Sequence, residues 1–230
     1  MSQRLPGVSH EDATGTAKLI LEGSDRFLGR TANLQRILAK NSPYIARWFG
    51  GLVAAVRQPD LGASTDARLR GLACIKTSMA NACTYCTAHT STFGQGLGIT
   101  DEELEAMMDD SYKTSPLFDD RDRAAIAWAE AMTNNTAARD KQVWAAMKDN
   151  FTETEIVEIS MASAMFNMIN RLNDSFWTEL ETEEYNQKQW NAVKGLSVDE
   201  IEAFAGKFAA VGAAERKAKG AETAKSEVTA

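Results

Sequence analysis

Cysteine and histidine are scarce in this 230-residue chain: three cysteines, Cys74, Cys83 and Cys86, and two histidines, His10 and His89. Three unevenly spaced thiols cannot form the disulfide framework of a small secreted domain. Proline is rare as well, at 4 residues, and 15 glycines without a repeat exclude a collagen-like chain. Positive charge is in deficit, with 25 Lys and Arg against 32 Asp and Glu, a net charge of -7 and a pI of about 5.0. That balance disfavours a nucleic-acid partner, because phosphate binding needs a basic face. The first 30 residues contain no apolar run behind a basic start, so neither a secretory signal nor a membrane anchor is expected. The expected location is the cytoplasm, with no membrane partner. What is present, 44% hydrophobic and 25% charged residues, suits one large domain or two compact halves.

The apolar residues follow a three-to-four spacing, and no convincing alternation of strand type occurs. Helical periodicity is clear over Tyr44 to Val56, Ala67 to Ala80, Arg123 to Met132, Val143 to Met147 and Ile156 to Leu172. Start signals are Ser42 before Pro43 and the capping-box pairs Thr100/Glu103, Thr152/Glu155 and Ser197/Glu200. Breaks are expected at Gln58-Pro59-Asp60 with Gly62, from Gly94 to Gly98, and at Ser115-Pro116. The class is all-α, with ten or so helices. Residues 1 to about 15 read as a loose arm, and the stretch from 213, almost without large apolar residues, as a frayed tail. Sliding the chain on itself by 84 residues sets Cys83, Cys86 and His89 over Asn167, Asn170 and Asn173, which suggests two copies of one helical unit.

The segment Asn81-Ala-Cys-Thr-Tyr-Cys-Thr-Ala-His89 concentrates the chemistry. Two cysteines two residues apart at a helix start lie near unsatisfied backbone N–H groups and the positive helix end, which favour thiolate over thiol. His89 follows Cys86 by about one turn, where it can trade a proton with it. Thiolate, partner thiol and proton carrier are the minimum set for reversible dithiol chemistry. A metal site would need a fourth ligand from Cys74 or His10. A purely structural reading makes the pair buried cysteines beside a capping histidine. Cys74, in the apolar run Leu72-Ala73-Cys74-Ile75, reads as a small core hydrophobe.

The pattern N-x-C-x-Y-C followed by His89, behind a helix running from Leu69 to Ala80, resembles the carboxymuconolactone decarboxylase and alkylhydroperoxidase D superfamily. The similarity extends to Thr31 through Ala39 with Ser42-Pro43, to Asp122 through Glu130, and to Asn167 through Asp174. It implies a domain over residues 25–182, after an N-terminal arm (1–24) and before a helical extension (183–212) and a flexible tail (213–230). It further implies a helical repeat of two pseudo-equivalent halves, assembly into homotrimers or homohexamers, and a cofactor-free, metal-free peroxidase. By that analogy Cys86 attacks the peroxide, Cys83 resolves the sulfenic acid as a disulfide, His89 relays the proton, and a dithiol reductant restores the pair.

Two departures from the pattern stand out. Many relatives carry the histidine four residues after the second cysteine, where this chain has Thr90, although a C-x-x-C-x-x-H subgroup matches it better. The usual glutamate twelve residues before the first cysteine is replaced by Gly71, which predicts weak peroxidase activity. Glu155 and Glu158 are candidate substitutes, Glu155 with a competing role in its capping box. Arg171 with Asp174 suggests a pair between helices, and the aromatics suggest core or subunit interface. The leading reading is thus a thiol peroxidase acting on peroxide or a small organic substrate. The alternatives are a decarboxylase or lyase on an aromatic-derived acid or lactone, and a non-catalytic dithiol sensor.

Overall fold

A computed structural model describes residues 2–181 and 195–228, with side chains as far as residue 218. Among them the chain forms α1 (Gly15–Leu28), α2 (Asn33–Asn41), α3 (Pro43–Ala46), α4 (Phe49–Arg57), α5 (Ala67–Ala80) and α6 (Thr84–Gln95). There follow α7 (Asp101–Met108), a 3-10 turn (Ser111–Lys113), α8 (Asp120–Thr133), α9 (Lys141–Asn150), α10 (Glu153–Phe176) and α11 (Val198–Val228). The fold is all-α, as the periodicity requires, and no described helix is long and apolar enough to cross a membrane.

Helix α5 is the central rod, packed against α6, α8 and α10. It is buried nearly all round, so its polar side chains must find partners inside the protein. Arg70 donates to the carbonyls of Val56 (2.7 Å), Gln58 (2.9 Å) and Thr65. Lys76 meets the carbonyl of Met107 (3.1 Å) and the carboxylates of Asp110 and Glu130. Gly71 and Gly94 let neighbours approach closely: a Cβ on Gly71 would lie 3.2 Å from Leu97 Cδ1, and one on Gly94 2.7 Å from Ile75 Cδ1. The expected break at Gly94 therefore falls later, because α6 continues through it to Gln95 and turns at Gly96–Gly98.

Thr100/Glu103 and Thr152/Glu155 form complete capping boxes. Ser197 accepts from Glu200 N (3.2 Å), but the Glu200 carboxylate turns away to bind Arg26 (2.7 Å). The N-terminal arm is tied down, with Arg4 N donating to Phe176 O (2.9 Å) and Val8 N to Arg36 O (3.2 Å). Where a loose tail is expected from 213, α11 runs on to Val228, since Ala, Glu, Lys and Arg are strong helix formers without needing a core to bury. Glu215 on that helix accepts from Thr16 N (2.8 Å) and Oγ1 (2.7 Å). The expected boundary at 182–183 and the first part of the extension, to residue 194, lie outside the described residues.

The two segments matched by the 84-residue offset lie side by side. Asn81 Nδ2 donates to Asn167 Oδ1 (3.0 Å), and Asn170 Nδ2 to the carbonyl of Thr77 (3.2 Å). They differ in one respect: the chain breaks between α5 and α6, whereas α10 runs through the corresponding positions as one 24-residue helix.

Candidate functional site

The break between α5 and α6 builds the thiol site. After Ala80, Ala82 adopts a left-handed backbone (φ 52°) and Cys83 becomes the N-cap of α6. Its sulfur takes the place usually held by a serine or aspartate oxygen, accepting Cys86 N–H at 3.3 Å. Cys86 lies one turn in, 1% exposed against 7% for Cys83, and its sulfur accepts Asn173 Nδ2 at 3.3 Å. Hydrogen bonding between the two thiols lowers the pKa of Cys83 and raises that of Cys86, and burial adds to the rise at Cys86. Thr90 hands its hydroxyl to the carbonyl of Cys86 (2.8 Å). Cys74 faces the carbonyl of Ala162 in the core, and burial pushes its thiol up to about 12.

His89 is buried on the same helix but makes no hydrogen bond to either sulfur among the described residues. The three-residue spacing thus does not bring His89 into direct hydrogen-bond contact with Cys86 among the described residues. Its Nε2 lies 2.7 Å from Glu181 Oε2 and its Nδ1 2.7 Å from Arg30 Nη2. Arg30 Nη2 also lies 3.1 Å from Nε2, but the ionised Glu181 can only accept, so Nε2 carries the proton given to it and Nδ1 is left as the acceptor facing Arg30. Tyr85 stacks on the ring at 4.2 Å and donates its hydroxyl to Glu181 Oε1 (2.7 Å), which also accepts Asn33 N–H. Burial opposes ionisation of Glu181, but the hydrogen bonds from His89, Asn33 and Tyr85 prevail and hold it at about 2. Burial keeps His89 below its ordinary value despite that carboxylate. A neutral imidazole, a carboxylate and a phenol thus form a buried hydrogen-bonded chain from His89 to Tyr85.

Glu181 escaped the sequence reading because it lies 92 residues beyond His89, past the end of α10, in no motif. The substitutes considered there serve elsewhere. Glu155 completes its capping box and pairs with Arg121 (2.6 Å), and Glu158 accepts the backbone N–H groups of Ser64 (2.9 Å) and Thr65 (2.7 Å). Gly71 points at Leu97 and Ile99, so its position is filled by apolar side chains. Arg171 folds back on Asn167 of its own helix (2.8 Å) instead of pairing with Asp174. His10 binds Asp25 (2.7 Å), away from the thiols.

A cleft of about 460 Å³ opens over Cys83, lined also by Arg4, Tyr85, Asn173, Trp177 and Thr178. Trp177 ends α10 in a left-handed conformation (φ 52°), an uncommon backbone for a bulky residue, with the Arg4 guanidinium 5.3 Å from its ring centroid. Asn173 Oδ1 and Thr178 Oγ1 are buried and have no hydrogen-bond partner.

No protein-family model and no curated protein matches the chain. Solved structures do. The debrominase Bmp8 in its cysteine-to-alanine form with 2,3,4-tribromopyrrole is 21% identical, over 84% of this chain and 99% of that one, with a TM-score of 0.66. An alkylhydroperoxidase AhpD core protein, described as peroxidase-related, from Ralstonia eutropha JMP134 is 17% identical over 82% and 96%, with a TM-score of 0.67. A peroxidase-related protein from Silicibacter sp. TM1040 is 19% identical over 74% and 86%, with a TM-score of 0.58. The central α5–α6 unit, the long α10 beside it and the thiol pair at their junction are set in a fold shared with the alkylhydroperoxidase D core and the debrominase.

Proposed function

We propose that the chain is a dithiol peroxidase in which Cys83 attacks and Cys86 resolves. The observation that carries this reading is the division of labour between the thiols: Cys83 is the more acidic and borders the cleft, while Cys86 is enclosed behind it. The order is the reverse of the one implied by family resemblance, because a buried thiol of raised pKa is the poorer nucleophile at neutral pH. The Cys83 thiolate forms an S–O bond to the terminal oxygen of a hydroperoxide, the O–O bond breaks, and the alkoxide leaves as an alcohol after taking a proton. The Cys86 sulfur then displaces hydroxide from the sulfenic acid, forming the disulfide and releasing water once its thiol proton is counted. An external dithiol returns two electrons and two protons. Tyr85 lines the cleft with its hydroxyl donated to Glu181, so the proton taken by the alkoxide comes from solvent in the cleft, and the free polar atoms of Asn173 and Thr178 suit the O–H and ether-type oxygens of a hydroperoxide.

The partners proposed are therefore a peroxide and a dithiol reductant. One stoichiometric dose of hydroperoxide is expected to remove two of the three free thiols, reversibly, with peptide mapping placing them at Cys83 and Cys86. Cys86→Ser is expected to leave a sulfenic acid trappable by dimedone at Cys83, and Cys83→Ser to abolish the reaction. A trapped sulfenic acid at Cys86 in Cys83→Ser would reverse the order. Three inert thiols would overturn the peroxidase and favour a lyase.

The debrominase neighbour and the unpartnered Asn173 Oδ1 beside Trp177 support a second reading, removal of halogen from an N–H or O–H aromatic. There the thiolate takes the halogen from carbon, the carbanion takes a proton, and Cys86 displaces halide to give the same disulfide. Thiol loss under anaerobic conditions with a bromopyrrole, matched by bromide release, would favour it over the peroxidase.

A further inference from the structure

Arg57, the last residue of α4, is a buried cation that no described carboxylate neutralises. It is 8% exposed, with its Cζ 3.9 Å from the ring centroid of Phe93 and 5.3 Å from that of Phe166. Its Nε and Nη2 are buried and find no acceptor. Three other enclosed cations have partners: Arg30 meets the His89 ring (2.7 Å), Arg70 is spent on three carbonyls, and Lys76 on a carbonyl and two carboxylates. An isolated buried charge is costly, and one retained with free donors points to an anion that is present only in some states of the protein.

The helix register shows which anion. Phe93 follows Cys86 by seven residues on α6, and Phe166 precedes Asn173 by seven on α10. Seven residues are two turns, which return to the same face about 10 Å along the axis. Arg57 thus stands between α6 and α10 on the face that carries Cys86 and the Asn173 amide bound to its sulfur. The ionisable groups around it are Cys74 from α5, Arg30 from the turn after α1, and Cys86 and His89 from α6, and Asp174 from α10 acts on Cys83. Cys74 remains a neutral thiol, and Arg30 is drawn to Glu181.

We propose that Arg57 is the counter-cation of the dithiol: a positioning residue that stabilises the thiolate form of the Cys83–Cys86 pair and loses its partner when the disulfide forms. Burial lowers its own pKa only to about 10, so it is charged at neutral pH. Because it favours the reduced, ionised pair, it makes the disulfide easier to reduce. The inference rests on the dithiol being redox-active and is independent of which oxidant it meets.

The test compares Arg57→Met, whose unbranched side chain suits the gap between the two rings, with Arg57→Lys, which keeps the charge. Arg57 acts on the pair through Cys86, so in Arg57→Met the pH profile of iodoacetamide alkylation of the Cys83–Cys86 pair is expected to move up by about one unit. Alkylation at neutral pH then falls about tenfold, and the glutathione equilibrium shifts about tenfold toward the disulfide, equivalent to about 30 mV. Arg57→Lys is expected to recover most of both. Folded Arg57→Met with an unchanged profile and equilibrium would overturn the proposal, whatever peroxide does to the wild type. Should Arg57→Met not fold, the Arg57 Nε–H resonance of the wild type decides. It is expected to titrate with the thiol in the reduced protein and not in the oxidised one, and indifference to the dithiol state would overturn the proposal. Inert thiols toward peroxide together with the expected Arg57 effects would sink the peroxidase alone.

Discussion

Glu181 joins His89, Tyr85 and the backbone of Asn33 in one buried hydrogen-bonded group, and its replacement separates stability from reactivity. Glu181→Gln keeps the shape but cannot accept from His89, Tyr85 and the backbone of Asn33 as the carboxylate does, which should cost about 3 kcal/mol in urea unfolding at neutral pH. A loss below about 0.5 kcal/mol would show that the carboxylate is not buried as described. The pH dependence has a defined sign. His89 is held below its ordinary 6.5 in the folded protein, so on acidification the unfolded chain takes up the proton first. Stability is complete above that value and falls as pH drops below it, by at most about 1.4 kcal/mol per unit. Glu181, held at about 2 against an ordinary 4.5, adds a second loss as pH falls from 4.5 toward 2. Urea titrations at a series of pH values should show both phases in wild type, whereas His89→Gln should lose the upper one and shrink the lower one, because His89 helps to hold Glu181 ionised.

Helices α5 and α6 carry the thiols, and their contact explains what the glycine at position 71 does. A side chain there would press on Leu97 and Ile99, not on His89. Gly71→Glu is therefore expected to destabilise the fold by about 3 kcal/mol, through overpacking and an unpaired charge, and to leave thiol reactivity no higher than in wild type. A thermal melt and an alkylation profile check this, and faster alkylation in a protein of unchanged stability would contradict it. The close approach suggested by a helical glycine was legible in the sequence. The missing relay was not, because the carboxylate enters from the far end of α10. Capping boxes at Thr100 and Thr152 were equally legible, since both partners lie within four residues and need no tertiary contact.

At the scale of the molecule, an apolar surface among the described residues lies on α3 and the turn into α4, where Tyr44, Ile45 and Trp48 are 66%, 71% and 66% exposed. Arg47 stacks between the two rings, 4.3 Å from the centroid of Tyr44 and 4.8 Å from that of Trp48, and Gly50 and Gly51 leave open space beside them. We propose this patch as an interface between copies of the chain, in a trimer or a hexamer first. Light scattering at micromolar concentration should give a multiple of 25.1 kDa, reduced by Ile45→Glu. A monomer in the wild type would contradict it.

Local signals determined the helical class, the helix starts and the position of the thiol pair at the head of a helix, because each depends on residues a few positions apart. Beyond 213 the chain is helical to Val228, because the absence of large apolar residues says that a helix cannot bury itself, not that it cannot form. Tertiary structure alone decided the partners of the thiols and of His89. Asn173 reaches Cys86 across 87 positions and Glu181 reaches His89 across 92, and Arg57 arrives from α4 between two rings. Periodicity places a side chain on a face of its helix, whereas the neighbour it meets there depends on how α4, α5, α6 and α10 share one core.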